Sequence, residues 1–120
     1  MLKTVKNIPT RVVKAFGYSF DGLKSAFIKE ESFRLEAFAC LILAVALIIS
    51  PWPGWKKAAM LAVYMLIPLC ELLNSAIEDI CDMVSPEINP YVKSAKDKGS
   101  AAVLLAIIAN ILTLAALVII

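Results

Sequence analysis

The segment CELLNSAIEDICD at 70–82 places several polar residues directly after an apolar run. At 100° per residue these side chains fall within about 100° of one helix face. They are Glu71, Asn74, Ser75, Glu78 and Asp82. Glu71 comes first and is expected at the edge of the hydrocarbon, where ionisable residues are costly and mark functional sites. Glu78 lies two turns later, about 10 Å along the axis. For Asp79 and Asp82, a solvated helix end is a plausible alternative explanation.

Two further charged clusters are expected at the same membrane depth. One combines three glutamates with Arg34 at positions 30–36, and the other is KDKGS at 96–100. The start of a helix with flanking lysines can bind an anion, although KDKGS alone is also typical of lysines that flank a membrane span. Carboxylates for a divalent cation, cations for phosphates and a deeper proton acceptor are together the requirements of phosphoryl transfer. The sequence contains neither GxxxxGK[ST] nor GxGxxG, which excludes a P-loop and a protein-kinase fold.

The composition indicates a membrane protein. The chain has 120 residues, of which 61% are hydrophobic, and a mean hydropathy of +0.82. A soluble domain of this length could not bury so much apolar surface. The three isolated cysteines, Cys40, Cys70 and Cys81, are expected to be small core residues, and the lack of histidine excludes a histidine metal ligand or base. The first apolar stretch starts near residue 33, too late for a cleaved signal peptide.

The apolar pattern predicts one integral-membrane domain, 1–120, that is entirely α-helical. Residues 1–32 form an amphipathic surface helix, because Phe16, Phe20, Leu23 and Phe27 make one apolar stripe. The spans are predicted at 33–50, 58–82 and 99–120. PWPGW at 51–55 makes a turn with interfacial tryptophans, and a loop is predicted at 83–95. Pro68 is expected to kink the second span, and Asn110 to hydrogen-bond from the third span to another helix.

The charge distribution predicts the orientation in the membrane. Three spans place ten of the twelve Lys and Arg residues on one side, with only Lys56 and Lys57 on the other. The positive-inside rule therefore places the N-terminus in the cytoplasm and the C-terminus outside. All ten carboxylates also lie towards the cytoplasmic side, since none occurs in 37–70 or 98–120.

The motifs ELLNSAIEDICD and AKDKGSAAVLLAII closely resemble those of the bacterial integral-membrane diacylglycerol kinase family. RVVKAFGYSFDGLKSAFIKEESFRLE is similar to the same family's N-terminal segment, so the resemblance covers nearly the whole chain. It implies a homotrimer with shared active sites in the bacterial cytoplasmic (inner) membrane. The implied reaction transfers the γ-phosphate of ATP, with Mg²⁺ as the metal, to the hydroxyl of a membrane lipid. No nucleic acid partner is expected.

The resemblance also implies residue roles. Glu71 resembles the catalytic base, and Glu30 and Glu78 match the metal-binding carboxylates. The positions implied around the nucleotide are Arg11, Tyr18, Glu30, Asn74, Glu78, Asp82, Glu87, Lys96 and Asp97. The positions implied around the lipid acceptor are Arg11, Ala15, Gly17, Ser19, Lys24, Arg34, Glu36, Glu71 and Ser100.

Some residues depart from the best-known branch of the family. Phe20 and Phe27 stand where tryptophan is common, Lys24 replaces an arginine, and Asn89 replaces a histidine. KDKGSAAV favours diacylglycerol as the acceptor, whereas VSPEINP is more similar to members that phosphorylate undecaprenol. A diacylglycerol kinase is therefore the leading hypothesis, and an undecaprenol kinase of the same fold is the alternative. A small proton-coupled transporter is a distant alternative, because all carboxylates cluster on one side. A purely structural membrane subunit is equally distant, because it would not need Glu30, Glu71, Glu78 and Lys96 together.

Overall fold

The computed structural model describes residues 7–84 and 89–120, which form five α-helices. They are α1 (Ile8–Lys29), α2 (Glu31–Ile49), α3 (Gly54–Tyr64), α4 (Leu66–Val84) and α5 (Pro90–Ile119). By length and composition, three helical segments could cross a membrane, namely Glu31–Ile49, Gly54–Val84 (α3 and α4 together) and Pro90–Ile119. No β-strand occurs in the described part of the chain. For residues 7–84 and 89–120, the prediction of an all-helical chain with three helical segments long and apolar enough to span a membrane is confirmed.

The spanning helices expose most of their apolar side chains. Leu41, Ile48, Leu105 and Ile111 are each more than half exposed. A helix that is apolar on all sides is stable in a membrane, where such side chains contact lipid or another membrane helix. The buried core is correspondingly small, and its main cluster lies near the α2–α3 turn and the end of α5.

The chain changes direction between α1 and α2 at Glu30. This residue has an extended backbone, with φ −106° and ψ 108°, so the two helices do not run on as one. Arg34 then reaches back, and its Nη1 atom donates to the carbonyl oxygens of Phe27 and Ile28 at 2.9 and 2.8 Å. Because these carbonyls lie in the last turn of α1, the guanidinium caps that helix end.

The second span is interrupted at Met65, between α3 and α4. Pro68 lacks the N–H that would bond to the carbonyl of Tyr64, so the regular pattern fails one turn before the proline. Hydrogen bonds continue on both sides, from Met65 N to Leu61 O and from Leu69 N to Met65 O, each at 3.2 Å. The regular helix is thus interrupted one turn before Pro68, in the region where the sequence predicts a kink.

The third spanning helix begins earlier than the sequence predicts. A loop was expected to continue to residue 95, but α5 starts at Pro90. The loop predicted at 83–95 is wrong at 83–84, where α4 continues to Val84, and at 90–95, where α5 has begun. Proline is well tolerated in the first helical turn, where its missing N–H has no partner to lose. Asn89 caps this start, since its Oδ1 accepts from the backbone N–H of Tyr91 at 2.8 Å.

A buried asparagine joins the second and third spans. Asn110 is 8% exposed, and its Nδ2 donates to the carbonyl oxygens of Val63 at 3.0 Å and Ala106 at 2.8 Å. The bond to Val63 crosses from α5 to α3, which confirms the prediction that Asn110 bonds to another helix.

Lys56, near the start of α3, bonds to the C-terminal end of α5. Its Nζ donates to Leu117 O at 2.9 Å and lies 5.7 Å from the ring centroids of both Trp52 and Trp55. A cation is favourable at the C-terminal end of a helix and over indole faces. The PWPGW turn therefore holds the C-terminal turn of α5.

Candidate active site

The central polar contact links the α1–α2 junction to α4. The Ser75 hydroxyl donates to Glu30 Oε1 at 2.8 Å, and both residues are half-buried. Glu30 can reach α4 because it occupies the extended position between two helices. Two carboxylate-bearing segments that are far apart in sequence thus meet at one point.

Glu78 lies one turn after this contact on α4. Ser75 and Glu78 are three residues apart, so they share one side of the helix, separated by about 4.5 Å along its axis. Glu30 and Glu78 are therefore brought to the same region. Within residues 7–84 and 89–120, no group of three His, Cys, Asp or Glu side chains forms a metal site by itself.

Glu71 lies one turn before Ser75, on the membrane side of the same helix. Its carboxyl group is close enough to interact with that of Glu36, which comes from α2. The Glu36 Oε2 atom is buried and has no hydrogen-bond partner among the described residues. The Tyr64 hydroxyl donates to the backbone oxygen of Glu36 at 2.6 Å, so the chain at Glu36 is fixed to the second span.

A polar cavity of about 520 Å³ lies between α1 and α4. Its lining includes Glu30 and Ser75 together with Ser19, Lys29 and Asp79. Of the residues predicted around the lipid acceptor, Ser19 contributes directly to this lining.

A second cavity of about 440 Å³ adjoins the first, because Leu23 and Leu72 line both. Its other residues are mainly apolar and come from α2 and the second span, and they include Cys40, Pro68 and Leu69. Glu36 is the only acidic residue in this lining. The structure thus places a polar cavity beside an apolar one.

The C-terminal end of α4 and the N-terminal part of α5 lie together on the predicted cytoplasmic side. Lys96 Nζ contacts Asp82 Oδ1 at 2.8 Å between the two helices. Asp97 pairs with Lys93 within α5 at 2.7 Å. These exposed ion pairs are modest contributors to stability because water screens them. They leave Lys96 and Asp82, both predicted near the nucleotide, in direct contact with each other.

Asn74 of α4 packs against Gly99 of α5. A Cβ atom at Gly99 would clash with Asn74 Oδ1 and would lie 3.2 Å from Cγ. Asn74 Oδ1 is buried and has no hydrogen-bond partner in the described part of the chain. An alanine at position 99 would therefore force the Asn74 side chain to shift.

The remaining predicted site residues are more dispersed. Those on α1 lie exposed along the helix and have no side-chain hydrogen bond to α4 among the described residues. They are Arg11, Ala15, Gly17, Tyr18 and Lys24. Ser100 is exposed near the start of the third span, and Arg34 is used to cap α1. Glu87 lies outside the described residues.

The structure adds residues that sequence reasoning did not assign to the site. Ser75 was placed on the polar face but was given no partner, whereas it holds Glu30. Asp79 was explained as a solvated helix end, yet it lines the polar cavity while exposed. The sequence signal that could have assigned both residues to the site is their spacing from Glu71. Ser75 lies about one turn further along the helix, and Asp79 lies just over two turns further.

The fold and the site define a small α-helical membrane protein with carboxylates at one end of its spans. A family model described as prokaryotic diacylglycerol kinase matches residues 17–119. The chain therefore belongs to the prokaryotic diacylglycerol kinase family.

Curated relatives agree with this assignment. The chain is similar to the diacylglycerol kinase of Escherichia coli strain K12, with 41% identity over 107 residues that cover 87% of this chain and 85% of the relative. It is similar to the diacylglycerol kinase of Pseudomonas aeruginosa, with 44% identity over 93 residues, 77% of this chain and 75% of the relative. The Haemophilus influenzae diacylglycerol kinase is 35% identical over 99 residues, covering 82% and 83%.

Proposed function

We propose that this chain is a diacylglycerol kinase, which transfers the γ-phosphate of MgATP to the hydroxyl of diacylglycerol and yields phosphatidic acid. The observation that carries the proposal is the arrangement on α4. Glu71 follows the apolar part of the span, and the Ser75–Glu30 contact lies one turn further along. The lipid hydroxyl lies at the edge of the membrane, whereas the nucleotide phosphates lie in water. The polar face of α4 extends from one region to the other.

Glu71 is the proton acceptor in this proposal. The lipid hydroxyl oxygen attacks the γ-phosphorus, the bond from that phosphorus to the bridging oxygen of ADP breaks, and the hydroxyl proton passes to the Glu71 carboxylate. A positioned general base contributes about 10²- to 10⁴-fold to such a step. Glu36 lies beside Glu71, which supports its role at the lipid acceptor rather than at the metal.

Glu30 and Glu78 are the proposed ligands of Mg²⁺. The donor set fits, because magnesium prefers one or two protein carboxylates with the remaining positions filled by phosphate oxygens and water. Ser75 fixes one oxygen of Glu30, which keeps that carboxylate oriented towards the polar cavity. When bound, the ion would neutralise negative charge on the phosphates.

The nucleotide is proposed to bind near the start of α5. Lys96 supplies a half-buried cation paired with Asp82, and the neighbouring Asp97 is exposed. Arg11 and Tyr18 on α1 are proposed to approach from the other side. A cation near the transferring phosphate stabilises the charge that it carries in the transition state.

The two adjoining cavities suit a lipid acceptor. The polar cavity accommodates the glycerol headgroup, and the apolar cavity accommodates the first part of an acyl chain. α1 is proposed to lie in the headgroup layer on the cytoplasmic face of the inner membrane, with the N-terminus in the cytoplasm. Three copies are proposed to assemble as a homotrimer that shares its active sites.

In the deciding experiment, the purified protein is incubated with MgATP that is labelled at the γ-phosphate. The acceptor is either diacylglycerol or undecaprenol. We expect labelled phosphatidic acid and little undecaprenyl phosphate. A strong preference for undecaprenol would refute the choice of acceptor, and no transfer to either lipid would refute the kinase proposal.

A further inference from the structure

The break in the second span is tied to both other spans by adjacent residues. Val63 O accepts from Asn110 of α5 at 3.0 Å. The Tyr64 hydroxyl donates to Glu36 O of α2 at 2.6 Å. Both ties lie in the last turn of α3, immediately before Met65.

The other half of the second span, α4, is in contact with α5 at Asn74 and Gly99. Moving 11 residues along the second span, from Val63 to Asn74, corresponds to moving 11 residues back along the third span, from Asn110 to Gly99. The two contacts therefore belong to one antiparallel register.

Glu71 lies between these fixed points. It is six residues beyond Met65, about 9 Å along the helix. Pro68 removes one backbone hydrogen bond at the break. The bonds from Met65 N to Leu61 O and from Leu69 N to Met65 O remain, so the position of the last turn of α3 is transmitted to α4.

We propose that Asn110 and Tyr64 are positioning residues, which set the rotation and depth of the half-helix that carries Glu71. A single polar residue in an apolar interface is well suited to specify register. The consequence for the reaction rests on the proposed role of Glu71 as the base. A displacement of about 1 Å at a reacting group can cost about 100-fold in rate.

The first test compares Asn110→Leu and Tyr64→Phe with matched controls. We expect kcat to fall at least about tenfold for Asn110→Leu and about threefold for Tyr64→Phe, with KM for MgATP unchanged within about twofold. Thr113→Val in the same span and Tyr91→Phe at an exposed hydroxyl should keep kcat within about twofold. A kcat within about twofold of the parent for both Asn110→Leu and Tyr64→Phe would overturn the proposal.

A second comparison separates positioning from general loss of folding. In a Glu71→Gln background, Asn110→Leu should change the residual turnover by less than about twofold, because the group that it positions is already lost. An equal loss in both backgrounds would show that Asn110 acts on the whole fold and would overturn the proposal. Near-normal turnover of Glu71→Gln alone would instead refute the base role.

A third readout does not require activity. Cys70 is adjacent to Glu71 and half-buried, so it reports on the same half-helix. In a Cys40→Ala, Cys81→Ala background, the alkylation rate of Cys70 by a membrane-permeant maleimide should change at least about threefold with Asn110→Leu and with Tyr64→Phe. Thr113→Val should leave it unchanged. If Asn110→Leu does not fold, Tyr64→Phe carries this test, and an unchanged rate in that variant overturns the proposal.

Discussion

Replacing Ser75 with alanine removes the hydroxyl that joins α4 to the α1–α2 junction. The lost hydrogen bond is short, 2.8 Å from Ser75 Oγ to Glu30 Oε1, and both residues are half-buried. Glu30 lies in an extended backbone position outside the helices, so it depends on this contact for its orientation. We therefore expect the carboxylate to become free to rotate away from Glu78.

The size of the effect follows from the kind of hydrogen bond. A bond to a charged group contributes about 1.5–3 kcal/mol, and the lower part of that range applies because the contact is only half-buried. A cost of about 1.5–2 kcal/mol corresponds to about a 10- to 30-fold change in an equilibrium constant. The proposed metal role of Glu30 places this loss in the apparent affinity for Mg²⁺ and MgATP rather than in kcat.

The assay titrates MgCl₂ at fixed ATP and diacylglycerol with Ser75→Ala and Ser50→Ala proteins. Ser50 is a matched control, because its hydroxyl also makes a 2.8 Å bond, to Leu47 O, but at the other end of α2. We expect the half-saturating Mg²⁺ concentration to rise about 10- to 30-fold for Ser75→Ala only. A change of less than about twofold, or an equal change in both variants, would refute the reasoning.

Two further substitutions test the packing of the spans. Gly99→Ala should force Asn74 to move and should lower both the melting temperature and kcat. Gly54→Ala, where a Cβ meets no atom within 4 Å, should change neither value in parallel thermal and kinetic measurements. Normal values for Gly99→Ala would contradict the close approach of Asn74 to Gly99. Lys56→Met should lower the free energy of unfolding by about 1–2 kcal/mol, because its hydrogen bond and two indole contacts are lost. Lys57→Met, whose contact to a backbone oxygen is 3.4 Å long, should cost less in the same denaturation experiment, and an equal cost would argue against the assigned contacts.

The spans and the polar face of α4 could be predicted from the sequence because both depend on local periodicity. Apolar length alone identifies three crossing helices, and the 3.6-residue repeat places Glu71 and Glu78 on one side. The break before Pro68 was equally local, since it follows from a missing N–H. These predictions needed no knowledge of neighbouring helices.

The start of α5 shows where local reasoning was ambiguous. A proline can end a helix or begin one, and its effect depends on the residue that caps it. Pro90 begins a helix because Asn89 bonds to Tyr91 N. The sequence contained this signal, an asparagine directly before a proline, but two prolines in one short segment favoured a loop.

The contacts between distant segments could not be predicted from the pattern. Ser75 bonds to Glu30 across 45 positions, and Asn110 bonds to Val63 across 47. Any of several helices could have supplied these partners, and periodicity does not distinguish among them. Family resemblance implied roles for single residues but not the pairs that the structure brings together.

The most direct test of Glu71 as the base measures both phosphate transfer and MgATP binding in Glu71→Gln. Transfer of labelled γ-phosphate to diacylglycerol is measured beside equilibrium binding of MgATP, with the parent protein as reference. We predict that turnover falls at least about 100-fold while the Kd for MgATP stays within about threefold, because a proton acceptor is lost and no metal ligand is changed. Near-normal turnover in Glu71→Gln, or a loss explained entirely by weaker MgATP binding, would contradict the assignment of Glu71 as the base.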